Sequence, residues 1–294
     1  VKNSLKVLAI YREIKYSNRA VVEDQLILDE VIQALMFYFG ENIVITKIHP
    51  EDIASKLLSF NYDLVFSMAQ EENILAYLDL LESRGAIVLN SSKSVRNCFR
   101  SHLSLVLQDP IFSYPNYIQL KVEPYLFKVF NSPFGYWVKR GDFHALADND
   151  VIHIDSIDYL SDVLSSFKSR GVEEVILQKS VKGELFKFYG VKDKFFQLRY
   201  IGKTNSNRYI NLPGNSNVSF NRELVESLAH KAANLLELDF YGGDCVITTE
   251  GEIHFIDFND WPSFRTCRQE VAIKMVEYAL LKLKSEENCV SSSL

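Results

Sequence analysis

The sequence predicts a mixed α/β (α+β) protein with a parallel, helix-covered sheet in its first third. Two observations carry this. Short β-rich runs alternate with amphipathic helical runs over residues 1–95, the signature of a parallel sheet covered on both sides. Beyond residue 95 the alternation gives way to short strands, single helices and a hairpin. The length of 294 residues is enough for two domains, or for one domain with subdomains.

The elements follow in order. "SLKVLAIY" reads as a strand. "EDQLILDEVIQALMFYF" has helical apolar spacing and stops at Gly40. "NIVITKIHP" is a strand, "PEDIASKLLSFN" a helix and "YDLVFSMA" a strand. "NILAYLDLLESRG" is a helix ending at Gly85, and "AIVLN" a strand. The strands end at Tyr11, Ser67 and Asn90, at the carboxyl edge where ligands tend to bind. "SVRNCFRSHLSLVLQD" reads as one helix and "PIFSYPNY" as a connector. "YLFKVF", "YWVKRG" and "VIHID" are short strands, "IDYLSDVLSSFKSRG" a helix and "EEVILQKSV" a strand. A long β stretch, "GELFKFYGVKDKFFQLRYIG", leads to the loop "KTNSNRYINLPGNSN". The helix "RELVESLAHKAANLLEL", a hairpin and a last helix from Arg268 to Lys284 complete the chain. The expected divisions are 1–95, 96–180, 181–284 and a frayed polar tail at 285–294.

Composition excludes several classes. Apolar residues make up 47% and charged residues 24%, an ordinary globular balance. The net charge of −6 argues against broad nucleic-acid binding, without excluding a local basic pocket. No apolar run reaches the ~18 residues of a membrane span, and no charged-then-apolar leader opens the chain. Cys98, Cys245, Cys267 and Cys289 have neither CxxC nor zinc-site spacing. They read as reduced thiols of a cytoplasmic protein.

The hairpin carries the chemistry. "GGDCVITT" and "EIHFIDFN" flank Glu250-Gly251. A two-residue or four-residue loop gives the same register and sets Asp244 opposite Asp257, with Cβ atoms about 4.5–5.5 Å apart. Asn259 shares that face, as do Val246, Ile253 and Phe255 in this register. Two such carboxylates repel unless a cation lies between them or one is protonated. With an amide oxygen they form a hard oxygen set that suits Mg²⁺. The bland alternative is a solvated hairpin, which the apolar residues on that face oppose.

Asp257-Phe258-Asn259-Asp260-Trp261-Pro262 resembles the end motif of the ATP-grasp superfamily, with Asp244 where an upstream acidic ligand belongs. The resemblance covers most of the chain and is nearest to the glutathione synthetase and ribosomal S6 glutamate-ligase group. It implies an ATP-grasp fold preceded by an N-terminal parallel α/β domain, with Asp244, Asp257 and Asn259 as magnesium ligands. "YWVKRGDFHA" is similar to the phosphate-binding strand and loop, so Lys139 and Gly141 would meet phosphates and His144 phosphate or substrate. "VILQKSV" is similar to the adenine hinge. There Gln178, and backbone groups of Lys179 and Val181, would meet the base, and Glu184 the ribose. Lys187 would face ATP phosphate or a structural carboxylate. Arg199 matches an arginine facing the γ-phosphate or the acyl-phosphate. Where the family often has a phosphate-binding lysine, this chain has Arg100, with Arg96 one helical turn earlier on the expected face. Arginine keeps the charge and changes the geometry.

The implied activity is an ATP- and Mg²⁺-dependent carboxylate–amine (or thiol) ligase working through an acyl-phosphate. The alternatives are a small-molecule kinase on the same fold and a non-catalytic nucleotide-binding protein. The acceptor is expected near Arg199, Arg208, Asn211, Ser263 and the strand ends of the first domain. Partners would be small-molecule or peptide carboxylate and amine substrates, with a homodimer by family analogy.

Overall fold

Four apolar runs too short for buried helices build the first sheet. The computed structural model describes residues 4–17, 21–53, 61–123, 129–142, 147–205, 208–211 and 216–291. The strands are β1 (Leu5–Ile10), β2 (Ile43–Ile48), β3 (Leu64–Ser67) and β4 (Ile87–Leu89). All pair in parallel, in the order β2-β1-β3-β4. Between them run α1 (Val21–Phe39), α2 (Pro50–Ile53) and α3 (Glu72–Ser83). Val7, Ala9 and Phe66 pack with Ile27 and Val31 of α1, while Leu8, Ile10 and Val65 pack with Leu75 and Leu78 of α3. Residues 54–60 of the predicted second helix lie outside the described residues.

The predicted helix over 94–109 is two helices. α4 (Ser92–Asn97) and α5 (Arg100–Val106) meet at Cys98-Phe99. Phe99 takes an extended conformation (ψ 131°) as the N-terminal cap of α5 and packs against the core between the first sheet and α3. Arg96 and Arg100 therefore do not share a face. Arg96 turns out to Glu72 (2.6 Å) and Asp79 (2.9 Å).

A second sheet, order β5-β8-β6-β7, contains β5 (Tyr117–Lys121), β6 (Tyr136–Arg140), β7 (Val151–Ile154) and β8 (Glu174–Lys179), all antiparallel. α6 (Leu160–Ser169) covers it through Leu160, Leu164 and Phe167. β5 begins at Tyr117, the last residue of the stretch read as a connector. Residues 124–128, most of the predicted strand "YLFKVF", lie outside the described residues.

The third sheet is antiparallel, order β11-β10-β9-β12-β13. Its strands are β9 (Glu184–Val191), β10 (Phe195–Asn205), β11 (Arg208–Asn211), β12 (Phe240–Ile247) and β13 (Ile253–Asn259). β11 falls in the predicted loop. One face is sealed by α7 (Arg222–Leu235): Val225, Ala229 and Ala232 pack on Phe186, Phe188, Cys245 and Phe255. The other face holds the site.

The last helix, α8 (Arg268–Ser291), leaves this sheet and packs on the first. Val271, Ala272, Met275 and Ala279 share one core with Val7, Ala9, Ile27 and Val31. It runs to Ser291, past the expected end at Lys284, so most of the expected tail is helical. Among the described residues no helix is long and apolar enough to cross a membrane. Met275 is fully buried in the shared core. Met275→Ala is expected to cost about 2–5 kcal/mol in urea unfolding; an unchanged midpoint would mean that α8 is not part of that core.

Candidate functional site

The site is built across β9, the middle strand of the third sheet. Arg199 on β10 pairs with Lys187 on β9, Lys187 with Asp244 on β12, and Asp244 with Asp257 on β13. Directly paired residues share a face. One rung thus carries two cations beside two carboxylates. Lys187 Nζ lies 3.1 Å from Asp244 Oδ1, an ion pair inside the site itself.

The opposition of Asp244 and Asp257 is reached by a bulge. Near the turn the pairs are Ile247 with Ile253 and Cys245 with Phe255; one residue further the register shifts, and Asp244 meets Asp257. The extra residue is Ile256. It corrects the expected face: Ile253 and Phe255 lie in the core under α7, whereas Val246 and Ile256 lie together on the other side with Leu185. Gly243 permits the close approach, because a Cβ there would meet the Asp257 carbonyl oxygen at 2.2 Å.

Two more cations reach in from other elements. Lys139 on β6 is buried, and its Nζ donates to the Ile256 carbonyl at 2.9 Å. Arg100, the first residue of α5, sets Nη2 3.3 Å from Asp257 Oδ2. Burial alone would raise the Asp257 pKa. Arg100, Lys139 and Lys187 outweigh it and hold the carboxyl below its ordinary value. Burial pulls the Lys139 ammonium down to about 8; Asp257 and Asp244 resist the shift and Arg100 adds to it. Lys187 moves up, chiefly through Asp244, against burial. With Lys139 protonated, four cations surround two carboxylates, an excess that suits a polyanion.

Asn259 pairs with Gly242 and stands two residues beyond Asp257 on the same side of β13. Asp244, Asp257 and Asn259 therefore form a hard oxygen set that fits a cation such as Mg²⁺. Among the described residues no three His, Cys, Asp or Glu side chains cluster, so the set is two carboxylates and an amide.

One step along the same face the chemistry turns apolar. Leu185, Val246 and Ile256 form a strip with Val181 and Ile201. Beyond it opens a cleft of about 540 Å³ lined by Lys179, Val181, Glu184, Phe134, Thr248 and His254. Gln178 is buried on β8 beside the Tyr114 hydroxyl. The Lys179 N–H donates to the Asn116 carbonyl at 2.7 Å, so of its backbone groups that N–H is already engaged. Glu184 is on the opposite face of β9 from Lys187 by alternation, with Oε1 3.4 Å from the Asn217 N–H. It stands at the rim of the cleft, off the charged rung.

The Gly141 N–H donates to the Glu174 carbonyl at 2.8 Å, because the residue packs on β8. His144 lies outside the described residues, as do the side chains of Arg208 and Asn211. The Ser263 carbonyl accepts from Arg268 Nε at 3.1 Å.

Several residues around this face escaped the sequence reading. Tyr189 pairs with Gly242 on the site face and is buried. Burial raises its pKa, with Lys187 opposing and Asp244 reinforcing. At the ends of β1 and β3, Arg12 Nη2 donates to the Trp261 carbonyl at 2.7 Å, and Gln70 Nε2 to Asp260 Oδ1 at 2.7 Å. Burial pushes Glu13 up to about 7, although it accepts the Gln70 and Glu71 N–H groups. Arg12 Nε, Gln70 Oε1 and Trp261 Nε1 are buried with no hydrogen-bond partner among the described residues. Polar residues just past a strand's carboxyl end were the available signal.

A parallel, helix-covered sheet followed by two antiparallel sheets is the architecture of the ATP-grasp fold, and solved structures share it. The chain is similar to the D-alanine–D-alanine ligase from Bacillus anthracis complexed with ATP, at TM-score 0.70 and 15% identity over 96% of this chain and 100% of that one. It is similar to D-alanyl-alanine synthetase A from Vibrio cholerae O1 biovar eltor, at 0.67 and 12% over 96% and 99%. The VanG D-Ala:D-Ser ligase from Enterococcus faecalis follows at 0.64 and 13% over 95% and 99%. No protein-family model and no curated protein matches the sequence.

Lys139 gives a pH test. Its folded pKa of about 8 lies below the ordinary lysine value of 10.5. Between those values the unfolded chain binds the proton and the folded chain does not, so stability rises with pH through that window. Against Lys139→Met, the wild type is expected to gain on the order of tenfold or more in its folding constant between pH 7 and 10. Urea unfolding at the two pH values checks this, and parallel behaviour of the two proteins would refute it.

Proposed function

We propose that this chain is an ATP-dependent carboxylate–amine (or thiol) ligase that binds Mg²⁺·ATP across the third sheet. The observation that carries the reading is the rung Arg199–Lys187–Asp244–Asp257, closed over by Lys139 and Arg100. A triphosphate answers its excess of positive charge. The strip of Leu185, Val246 and Ile256 is an apolar bed for a base, and the hinge at Gln178–Val181 offers polar groups at its edge. The fold shared with ligases, one of them complexed with ATP, supports the same reading.

In this reading Lys139, Lys187 and Arg100 orient the phosphates, and Arg199 faces the transferring phosphoryl group. An acceptor carboxylate oxygen attacks the γ-phosphorus and ADP leaves. An amine or thiol then attacks the acyl carbon, phosphate leaves and the nucleophile's proton is released. Mg²⁺ held by Asp244, Asp257 and Asn259 would neutralise phosphate oxygens. Positioning and charge neutralisation supply most of the acceleration. No Ser/His/Asp or Cys/His arrangement is needed, and Cys98 and Cys245 are buried thiols whose pKa values burial raises. The acceptor belongs between Arg199 and the ends of β1 and β3, where Arg12, Gln70 and Trp261 have unmatched groups.

Calorimetric titration of ATP, with and without Mg²⁺, tests this. Wild type is expected to bind in a Mg²⁺-dependent manner, and Asp257→Ala to bind at least tenfold more weakly, about 1.4 kcal/mol. Absence of ATP binding by wild type would sink the reading. Binding without ADP release on a panel of carboxylates and amines would reduce it to a nucleotide-binding protein.

A further inference from the structure

The open end of the metal hairpin is closed by a side chain. β12 and β13 pair from Ile247 with Ile253 as far as Gly242 with Asn259, where the ladder stops. Asn90, the residue after β4 of the first sheet, takes over from there. Its Oδ1 accepts the N–H groups of Asp239 and Phe240, each at 2.8 Å. Its Nδ2 donates to the Phe240 carbonyl at 2.7 Å and to the Asp260 carbonyl. One amide thus uses both donor hydrogens and both lone pairs of its oxygen. It has no exposed surface.

These contacts grip both arms of the hairpin. Phe240 precedes Asp244 on β12, and Asp260 adjoins Asn259 at the end of β13. Between Phe240 and Asp244 lie Gly242 and Gly243, which bring no side-chain packing and weaken a strand locally. Fixing that arm therefore falls to its neighbours. Phe240 is also seated by Phe66, Trp261 and Tyr278. Gln70, after β3, holds the Asp260 carboxylate.

We propose that Asn90 is a positioning residue for the divalent cation: by tying the two arms together beyond their last rung, it sets the distance between Asp244 and the Asp257/Asn259 pair. The inference rests on the Mg²⁺·ATP reading. A metal site tolerates little looseness in ligand spacing, and the clamp makes that spacing depend on how the first sheet is seated. Groups that orient ligands without touching the metal commonly alter affinity tenfold or more.

The test is Mn²⁺ titration of the full chain by electron paramagnetic resonance, with a non-hydrolysable ATP analogue present. Asn90→Ala is expected to weaken Mn²⁺ binding at least tenfold while keeping a native circular-dichroism spectrum and a cooperative melt. Leu78→Ala, in the core between the first sheet and α3, is expected to lower the melting temperature and leave Mn²⁺ affinity within twofold of wild type. If Asn90→Ala does not fold, Asn90→Ser serves in its place, with at least threefold weaker binding expected. A folded Asn90 variant within twofold of wild type overturns the inference, as does Leu78→Ala weakening the metal equally. Wild type that binds no Mn²⁺ is a different result, and defeats the metal reading of the hairpin itself.

Discussion

Asp244 and Asp257 face each other across paired strands, and like charges at that spacing persist only with cations around them. Much of the architecture answers this requirement. Lys187 comes from the neighbouring strand, Lys139 from the second sheet and Arg100 from α5, between the first sheet and the second. A local repulsion on one hairpin thus becomes a reason for three parts of the chain to converge. The bulge at Ile256 belongs to the same solution. It aligns the carboxylates and turns a carbonyl toward Lys139, which lets a buried ammonium keep a hydrogen bond.

The protein as a whole carries −6, yet this face concentrates cations. Low-dielectric walls focus such a local field and give it weight beyond the net charge. The apolar strip of Leu185, Val246 and Ile256 supplies part of that wall. It follows from strand alternation: the residues that neighbour the rung on β9, β12 and β13 are those whose opposite-facing partners fill the core under α7. A binding surface that is charged at one end and apolar at the other thus comes from ordinary two-residue periodicity, with one bulge.

Much of this was legible in the sequence, because local signals and the fold agreed. The alternating runs gave the first sheet, and the hairpin turn gave the opposition of Asp244 and Asp257. The route to that opposition was hidden. Two compensating shifts, one at the turn and one at Ile256, restored a register that counting from the turn reached without a bulge. The break at Cys98-Phe99 was hidden too, because its helical pattern has no proline or glycine and Phe99 breaks it for a tertiary contact. The docking of α8 on the first sheet joins residues more than two hundred positions apart. Asn90 looked like the polar end of a strand, and nothing local to it names Phe240 or Asp260 as partners.

The break before α5 also decides what two arginines do. On one continuous helix Arg96 and Arg100 would have faced the same way. The break sends Arg96 to Glu72 and Asp79, which ties α4 to α3, and leaves Arg100 to meet Asp257. Arg100 and Lys139 then act differently on one carboxylate. The ammonium, at about 8, is lost in mildly alkaline solution, whereas the guanidinium holds Asp257 by a directed contact from Nη2 to Oδ2 at 3.3 Å. When Lys139 is neutral, Arg100 and Lys187 still hold Asp257 ionised. The Asp257 carboxylate therefore keeps its charge across the pH range in which the Lys139 ammonium loses its own.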